Sequence, residues 1–259
     1  EIQLLHLPES QRKELTARAD AINSADLAFL CLPDAASREI LPLLRPDVKV
    51  LDTSTAFRTA PGWVYGFPEL RGQKQRIQQS CRVAVPGCYA SGFIALARPL
   101  VELGLVPPTY PFSCTGLSGY SGGGKKMIAA YESPAPPCPP PLFVPVVCDY
   151  YSGMQVLLPL DLGLAGTSAQ AVAQGLAAYY QGAAAVSVHS LNEPLPQNGL
   201  YSNALSGTDR MELYLNTNPA GDQMMLAALF DNLGKGSSGA AVQCMDLMLG
   251  FAETAGLEL

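Results

Sequence analysis

Three short apolar runs, each closed by turn residues, constrain this chain more than anything else in it: DLAFLCLP at 26–33, VKVLDTS at 48–54 and RVAV at 82–85. A run apolar at successive positions, rather than at every second one, fits a strand covered on both faces. Helical patterns separate these runs. Residues 9–23 predict a helix with a polar face, 34–44 a short helix with Asp34 as N-cap, and 72–80 a polar helix. Residues 2–7, IQLLHL, read as a further buried strand. Strand and helix alternating through short joints imply an α/β fold, a Rossmann-like doubly wound parallel sheet.

Past residue 110 the texture changes. Extended segments are expected at 112–118, 142–148, 154–162, 211–218 and 223–230, with one helix at 168–181. Strands without regular intervening helices predict a second, α+β domain. Residues 91–103 carry apolar positions at helical spacing, with Pro99 expected to kink that helix and Gly104 to end it. SPAPPCPPPLFVP, 133–145, is proline-dense and predicts extended or polyproline-like chain. The expected boundaries are 1–87 for a nucleotide-binding domain, 88–230 for a catalytic and oligomerisation domain, and 231–259 for a terminal helix returning to the first.

Composition excludes several classes. Of 259 residues 48% are hydrophobic and 15% charged, which provides a core and argues against disorder. The net charge is −6, and no basic tract exceeds two adjacent residues, so neither nucleic acid nor an anionic membrane is an expected partner. No run of roughly 18 apolar residues predicts a membrane span, and no signal-peptide pattern opens the chain. The seven cysteines are scattered, without a CxxC pair, so no metal site is expected. They fit a reducing, cytoplasmic compartment.

Four stretches carry possible chemistry. In VPGCYASG, 85–92, Pro-Gly places Cys88 where a strand turns into a helix. A helix N-terminus favours a thiolate, which makes Cys88 a candidate nucleophile; a cysteine packed beneath the turn is the rival reading. GYSGGGKK, 119–126, falls short of a nucleoside-triphosphate loop because Lys126 stands where Ser or Thr would hold magnesium. It reads either as a loop whose N–H groups and Lys125 meet a smaller anion, or as a surface turn. GKGSSG, 234–239, matches GxGxxG, but no further strand with an acidic residue about 20 positions on can follow before Leu259. It reads as a late cofactor loop or as the cap of a terminal helix. LDTSTAFR, 51–58, ends a parallel strand, where ligands collect; Arg58 suits a carboxylate or phosphate, while Asp52 and Ser54 suit a capped turn equally well. The two histidines, His6 and His189, lie near none of these and read as structural.

STAFRTAPGWVYGFPEL, VPGCYASG, GYSGGGK, GTDRMELY and DNLGKGSSGAAVQ, in that order, resemble the N-acetyl-γ-glutamyl-phosphate reductase family, in its second, shorter type. The resemblance implies a fold like glyceraldehyde-3-phosphate and aspartate-semialdehyde dehydrogenases, and NADPH-dependent reduction of an acyl phosphate to N-acetylglutamate semialdehyde with release of phosphate, in arginine biosynthesis. It implies Cys88 as the nucleophile and Asn232, Gly234 and Lys235 as the late NADP(H) loop. Ser10, Arg12, Pro33 and Ser54 follow as further cofactor residues. Arg58, Ser121 and Lys125 are assigned to the substrate's anionic groups by their chemistry. A homodimer or homotetramer is expected. The family opens on a strand and a GxxGxxG-like loop, which here would precede Ile2; it also carries an acid/base histidine after the GYSGGGK region, where this chain runs SPAPPCPPP. The alternatives are an aspartate-semialdehyde dehydrogenase-like enzyme and a truncated, non-catalytic oligomeric relative.

Overall fold

A computed structural model describes residues 2–132, 146–196 and 199–259; the proline-dense segment 133–145 lies outside them. Two compact units result. One comprises Glu1–Pro68, Gly72–Pro86 and Ala241–Ala255, the other Glu69–Arg71, Gly87–Ala240 and Gly256–Leu259.

The first unit contains α1 (Leu15–Ser24), β1 (Leu27–Leu30), α2 (Asp34–Ile40), β2 (Lys49–Asp52), β3 (Val64–Tyr65), α3 (Gln73–Gln79) and β4 (Arg82–Ala84). The strands form a wholly parallel sheet in the order β1-β2-β4-β3. Successive side chains of a strand face opposite ways. Val50 joins Ala19, Leu30, Ile40 and Leu44 on one side, and Leu51 joins Ile77, Val83, Cys244 and Leu247 on the other. That two-sided burial is why VKVLD is an unbroken apolar run rather than an alternating one.

Two expectations fail here. Residues 2–7 form no strand, and Ile2, Leu4 and Leu5 are exposed. A strand needs a neighbour's N–H and C=O groups, and among the described residues β1 pairs with β2 alone; apolar side chains cannot substitute for that ladder. The helix expected at 9–23 is a run of turns at 9–13 followed by α1. Nor does Asp34 cap α2. Pro33 takes the N-cap position, and the Asp34 carboxylate accepts the Thr55 N–H at 2.9 Å and the Thr55 hydroxyl at 2.5 Å. Those two hydrogen bonds hold the Asp34 carboxyl below its ordinary range.

The second unit contains α4 (Cys88–Glu102), β5 (Thr115–Gly119), α5 (Gly124–Tyr131), β6 (Val146–Cys148), β7 (Met154–Asp161), α6 (Leu162–Ala165), α7 (Ala169–Tyr179), β8 (Val186–Val188), β9 (Met211–Thr217) and β10 (Gln223–Phe230). A π-helical turn, Gly234–Ser238, leads into α8 (Gly239–Leu249), whose residues from 241 onward belong to the first unit. The sheet is mixed, in the order β6-β5-β7-β10-β9-β8, with parallel pairs at β6/β5 and β9/β8 and antiparallel pairs between. This α/β architecture with a second mixed sheet is the predicted fold class.

Helix α4 lies on β7 and β10. It packs tightly there at Gly92, where a methyl group would stand 2.5 Å from Val156 Cγ2 and 2.9 Å from Phe230 Cε1, so only glycine fits. Further along, Pro99 lacks the N–H that would serve the Ala95 carbonyl. The Tyr180 hydroxyl donates to that oxygen instead, at 2.7 Å.

Candidate active site

Cys88 is the first residue of α4, behind Gly87 in an extended N-cap conformation (φ −95°, ψ 151°). No side chain caps this end and no acidic residue stands in its first turn. The first N–H groups of a helix have no intrahelical acceptor, and together with the dipole they favour a negative charge. The Cys88 side chain is half-buried, neither sealed in the core nor fully in solvent. Tyr89, next in the chain, has its hydroxyl pKa raised by burial and by negative charge on Cys88.

The turn Gly234–Ser238 packs against Cys88. A methyl group on Gly236 would come within 2.9 Å of Cys88 Cβ, so the backbone of this turn touches the cysteine side chain directly. The turn is wound tightly. The Asp231 carboxylate accepts the N–H groups of Leu233 (2.7 Å) and Gly234 (3.3 Å), and the Asp231 carbonyl accepts Gly236 N–H at 2.9 Å. The other Asp231 oxygen accepts Gly207 N–H and the Ser152 hydroxyl. Asn232 is buried and bridges two segments, accepting Gly153 N–H at 2.8 Å and donating to Ser121 Oγ at 3.0 Å. The turn after β10 is thereby tied to the glycine loop after β5.

The remaining candidates fall in both units. Ser121 is buried and bound to Asn232, while Lys125 is exposed on α5. Gly234 opens the turn. Lys235 is buried, and its Nζ lies 2.7 Å from Glu69 Oε1. In the first unit Arg58 donates through Nε to the Val85 carbonyl (3.1 Å) and through Nη2 to that of Thr53 (3.3 Å), beside the carboxyl ends of β4 and β2. Ser54 donates to Asp52 Oδ1 at 2.5 Å and accepts Ala56 N–H at 3.2 Å, closing a local turn. Ser10 and Arg12 lie on the exposed turns before α1, with Arg12 Nη1 3.5 Å from Glu9 Oε2, and Pro33 is exposed at the start of α2. His189 sits between Glu193 (2.9 Å) and Glu212 (3.1 Å) and stacks on Tyr214, a structural setting.

Sequence reading passed over Asp231 and Glu69. Asp231 had a signal, an acidic residue immediately before a glycine turn, which is where a backbone-capping carboxylate belongs. Glu69 had none, because its partner lies 166 positions away.

Comparison with known proteins places these features. Residues 3–79 match the family model described as semialdehyde dehydrogenase, NAD binding domain. The N-acetyl-gamma-glutamyl-phosphate reductase 2 of Pseudomonas putida is 43% identical over 286 aligned positions, covering 99% of this chain and 91% of that protein. The N-acetyl-gamma-glutamyl-phosphate reductase of Trichormus variabilis is 40% identical, covering 99% and 92%. In three dimensions the chain resembles aspartate semialdehyde dehydrogenase II from Vibrio cholerae, with a TM-score of 0.65 at 13% identity, covering 93% of this chain and 82% of that one; this likeness concerns the fold alone. Identity at that level over nearly all of both proteins means that the chain belongs to the N-acetyl-gamma-glutamyl-phosphate reductase family.

Proposed function

We propose that the protein reduces N-acetyl-γ-glutamyl phosphate to N-acetylglutamate semialdehyde, releasing inorganic phosphate, as a step of arginine biosynthesis. The observation that carries this reading is Cys88 at the uncapped start of α4, half-buried and in contact with the glycine turn at Gly236.

The first unit fits a nicotinamide dinucleotide. Its parallel strands end at Leu30, Asp52 and Ala84, and ligands of open α/β sheets bind outside such carboxyl ends. Asp52 Oδ2 is buried there without a hydrogen-bond partner among the described residues, an acceptor suited to a ribose hydroxyl. Ser10, Arg12, Pro33 and Ser54 would hold the cofactor, with Arg12 on the 2′-phosphate that distinguishes NADP(H). Asn232, Gly234 and Lys235 serve the same end through the turn, Lys235 by shaping it rather than by reaching out. When bound, the nicotinamide supplies the hydride that reduces the acyl group.

The chain's own residues do the rest. The Cys88 thiolate attacks the acyl carbon, a carbon–sulfur bond forms, the bond to the phosphate oxygen breaks, and phosphate leaves. After reduction the carbon–sulfur bond breaks, returning the thiolate and releasing the aldehyde. Arg58, Ser121 and Lys125 grip the substrate's anionic groups; the two carbonyl bonds of Arg58 fix the plane of its guanidinium. The protein works in the cytoplasm as a homodimer or homotetramer.

The test runs the reaction backwards. Purified protein is mixed with NADP⁺, N-acetylglutamate semialdehyde and phosphate, and NADPH absorbance is followed beside a parallel run with aspartate semialdehyde. Turnover of the acetylated aldehyde is expected. A folded preparation that consumes neither aldehyde, or only the aspartate compound, sinks the proposal.

A further inference from the structure

Glu69 and Lys235 form the most enclosed ion pair among the described residues, with Nζ 2.7 Å from Oε1 and each side chain 1% exposed. Such a pair is a poor source of net stability, because the cost of taking both charges out of water offsets their attraction. What it does supply is geometry. Either charge alone would be expensive at that depth, so the two backbones are held in one relation.

Both ends of the pair lead to Cys88. Lys235 is the second residue of the turn Gly234–Ser238, and its neighbour Gly236 is the residue pressed against Cys88 Cβ. Glu69 lies in the segment Glu69–Arg71, which is pinned by Tyr179: the Arg71 N–H donates to the Tyr179 hydroxyl at 3.0 Å, and the Arg71 guanidinium lies 5.3 Å from the centre of that ring. The Tyr179 hydroxyl in turn donates to Glu102 Oε2 at 2.6 Å. Glu102 is the last residue of α4, and Cys88 is its first. The contacts therefore close a circuit: Cys88, helix α4, Glu102, Tyr179, Arg71, Glu69, Lys235, Gly236 and back to Cys88.

We infer that Glu69 and Lys235 are positioning residues of the reductase, their ion pair holding the glycine turn against Cys88 so that the thiol keeps one orientation at the helix N-terminus. This rests on the reading of Cys88 as the nucleophile. Misplacing a reacting atom by about 1 Å costs on the order of a hundredfold in rate, so a turn released by even part of that distance is visible in kcat.

The decisive variant of the full chain is Glu69→Gln/Lys235→Met, which removes both charges at nearly constant volume and leaves neither behind unpaired. After circular dichroism and thermal melting establish that it folds, two quantities are read. One is kcat and KM for N-acetylglutamate semialdehyde. The other is the rate of Cys88 alkylation by iodoacetamide across pH, followed on the Cys88 peptide by mass spectrometry. The expected result is a kcat lower by about tenfold or more with KM within about threefold, together with an altered pH profile of alkylation. A purely structural pair would leave that profile unmoved. A folded variant with unchanged kcat and an unchanged profile overturns the inference. If the double variant does not fold, Glu69→Asp keeps both charges but shortens the tether by one methylene; the same signs are expected, and unchanged kcat and profile overturn it equally. Cys88→Ser separates the two levels. Persisting turnover there removes the nucleophile reading and this inference with it, whereas loss of turnover there beside an unaffected pair variant removes this inference alone.

Discussion

Cys88 and Asp246 show how position on a helix sets what a side chain can do. Cys88 is the first residue of α4, the end at which the helix's N–H groups have no carbonyl partner of the helix. Cys88→Ser keeps the size and removes the nucleophile, so turnover should fall by on the order of 10³-fold or more, measured as NADPH formation, with the melting temperature unchanged. Asp246 lies within α8, buried, and burial raises its carboxyl above the ordinary range. A raised folded-state pKa means the folded protein binds the proton more tightly than the unfolded chain does. Stability from this group is thus complete below the ordinary carboxylate pKa and is lost as pH rises through the folded-state value. Replacing it by Asn should raise the melting temperature at pH 8 and do so less at pH 4, as thermal denaturation at the two pH values will show.

Gly92 in helix α4 and His189 at the β8–β9 edge show what one residue contributes to the packing of an element. Gly92 lets α4 reach β7 and β10, and the gap leaves no room for a methyl group. Gly92→Ala should cost about 1–3 kcal/mol, by denaturant unfolding, from overpacking. At the edge, His189 follows β8 and bonds both Glu193 and Glu212. Hydrogen bonds from His189 and Ser190 lower the Glu193 carboxyl. At Glu212 burial pushes upward, but hydrogen bonds from Tyr214 and His189 outweigh it and the carboxyl is lowered too. Depressed carboxylates stabilise above their unfolded pKa and lose that contribution as pH falls through the folded value. His189→Gln should lower the melting temperature at neutral pH, and the gap from wild type should narrow in acid, as thermal denaturation at the two pH values will show.

Two compact units and one extended family likeness define the protein at large. Among the described residues no helix is long and apolar enough to cross a membrane. A cofactor that binds the folded chain alone raises its stability by about 2.7 kcal/mol at a hundredfold excess over Kd. NADP⁺ should therefore lift the melting temperature at concentrations where NAD⁺ does less, and Arg12→Ala should erase the difference; equal shifts in the wild type would refute the preference for the phosphorylated cofactor. Light scattering should return two or four times the 27.4 kDa of one chain.

Much of this was legible in local pattern. Apolar runs located β1, β2, β4 and β10; in β2 the run reflects burial of Val50 and Leu51 on opposite faces, whereas Phe29 of β1 and Met225 of β10 stay exposed, so such a run marks a strand without fixing that both its faces are covered. The Pro-Gly-Cys turn marked α4, and the glycine turn after β10 marked the start of α8, because such turns need residues with few steric demands. What pattern could not supply was partnership. IQLLHL has a strand's composition and no strand's ladder. Lys235 stands in a loop that the family resemblance assigns to the cofactor, and nothing near it in the sequence points to its ion pair with a glutamate 166 residues away. Asp34 looks like a cap and instead receives Thr55. Backbone propensity and the apolar pattern are properties of neighbouring residues, so they are written along the chain. Hydrogen bonds and ion pairs between distant segments exist only once the fold has brought those segments together.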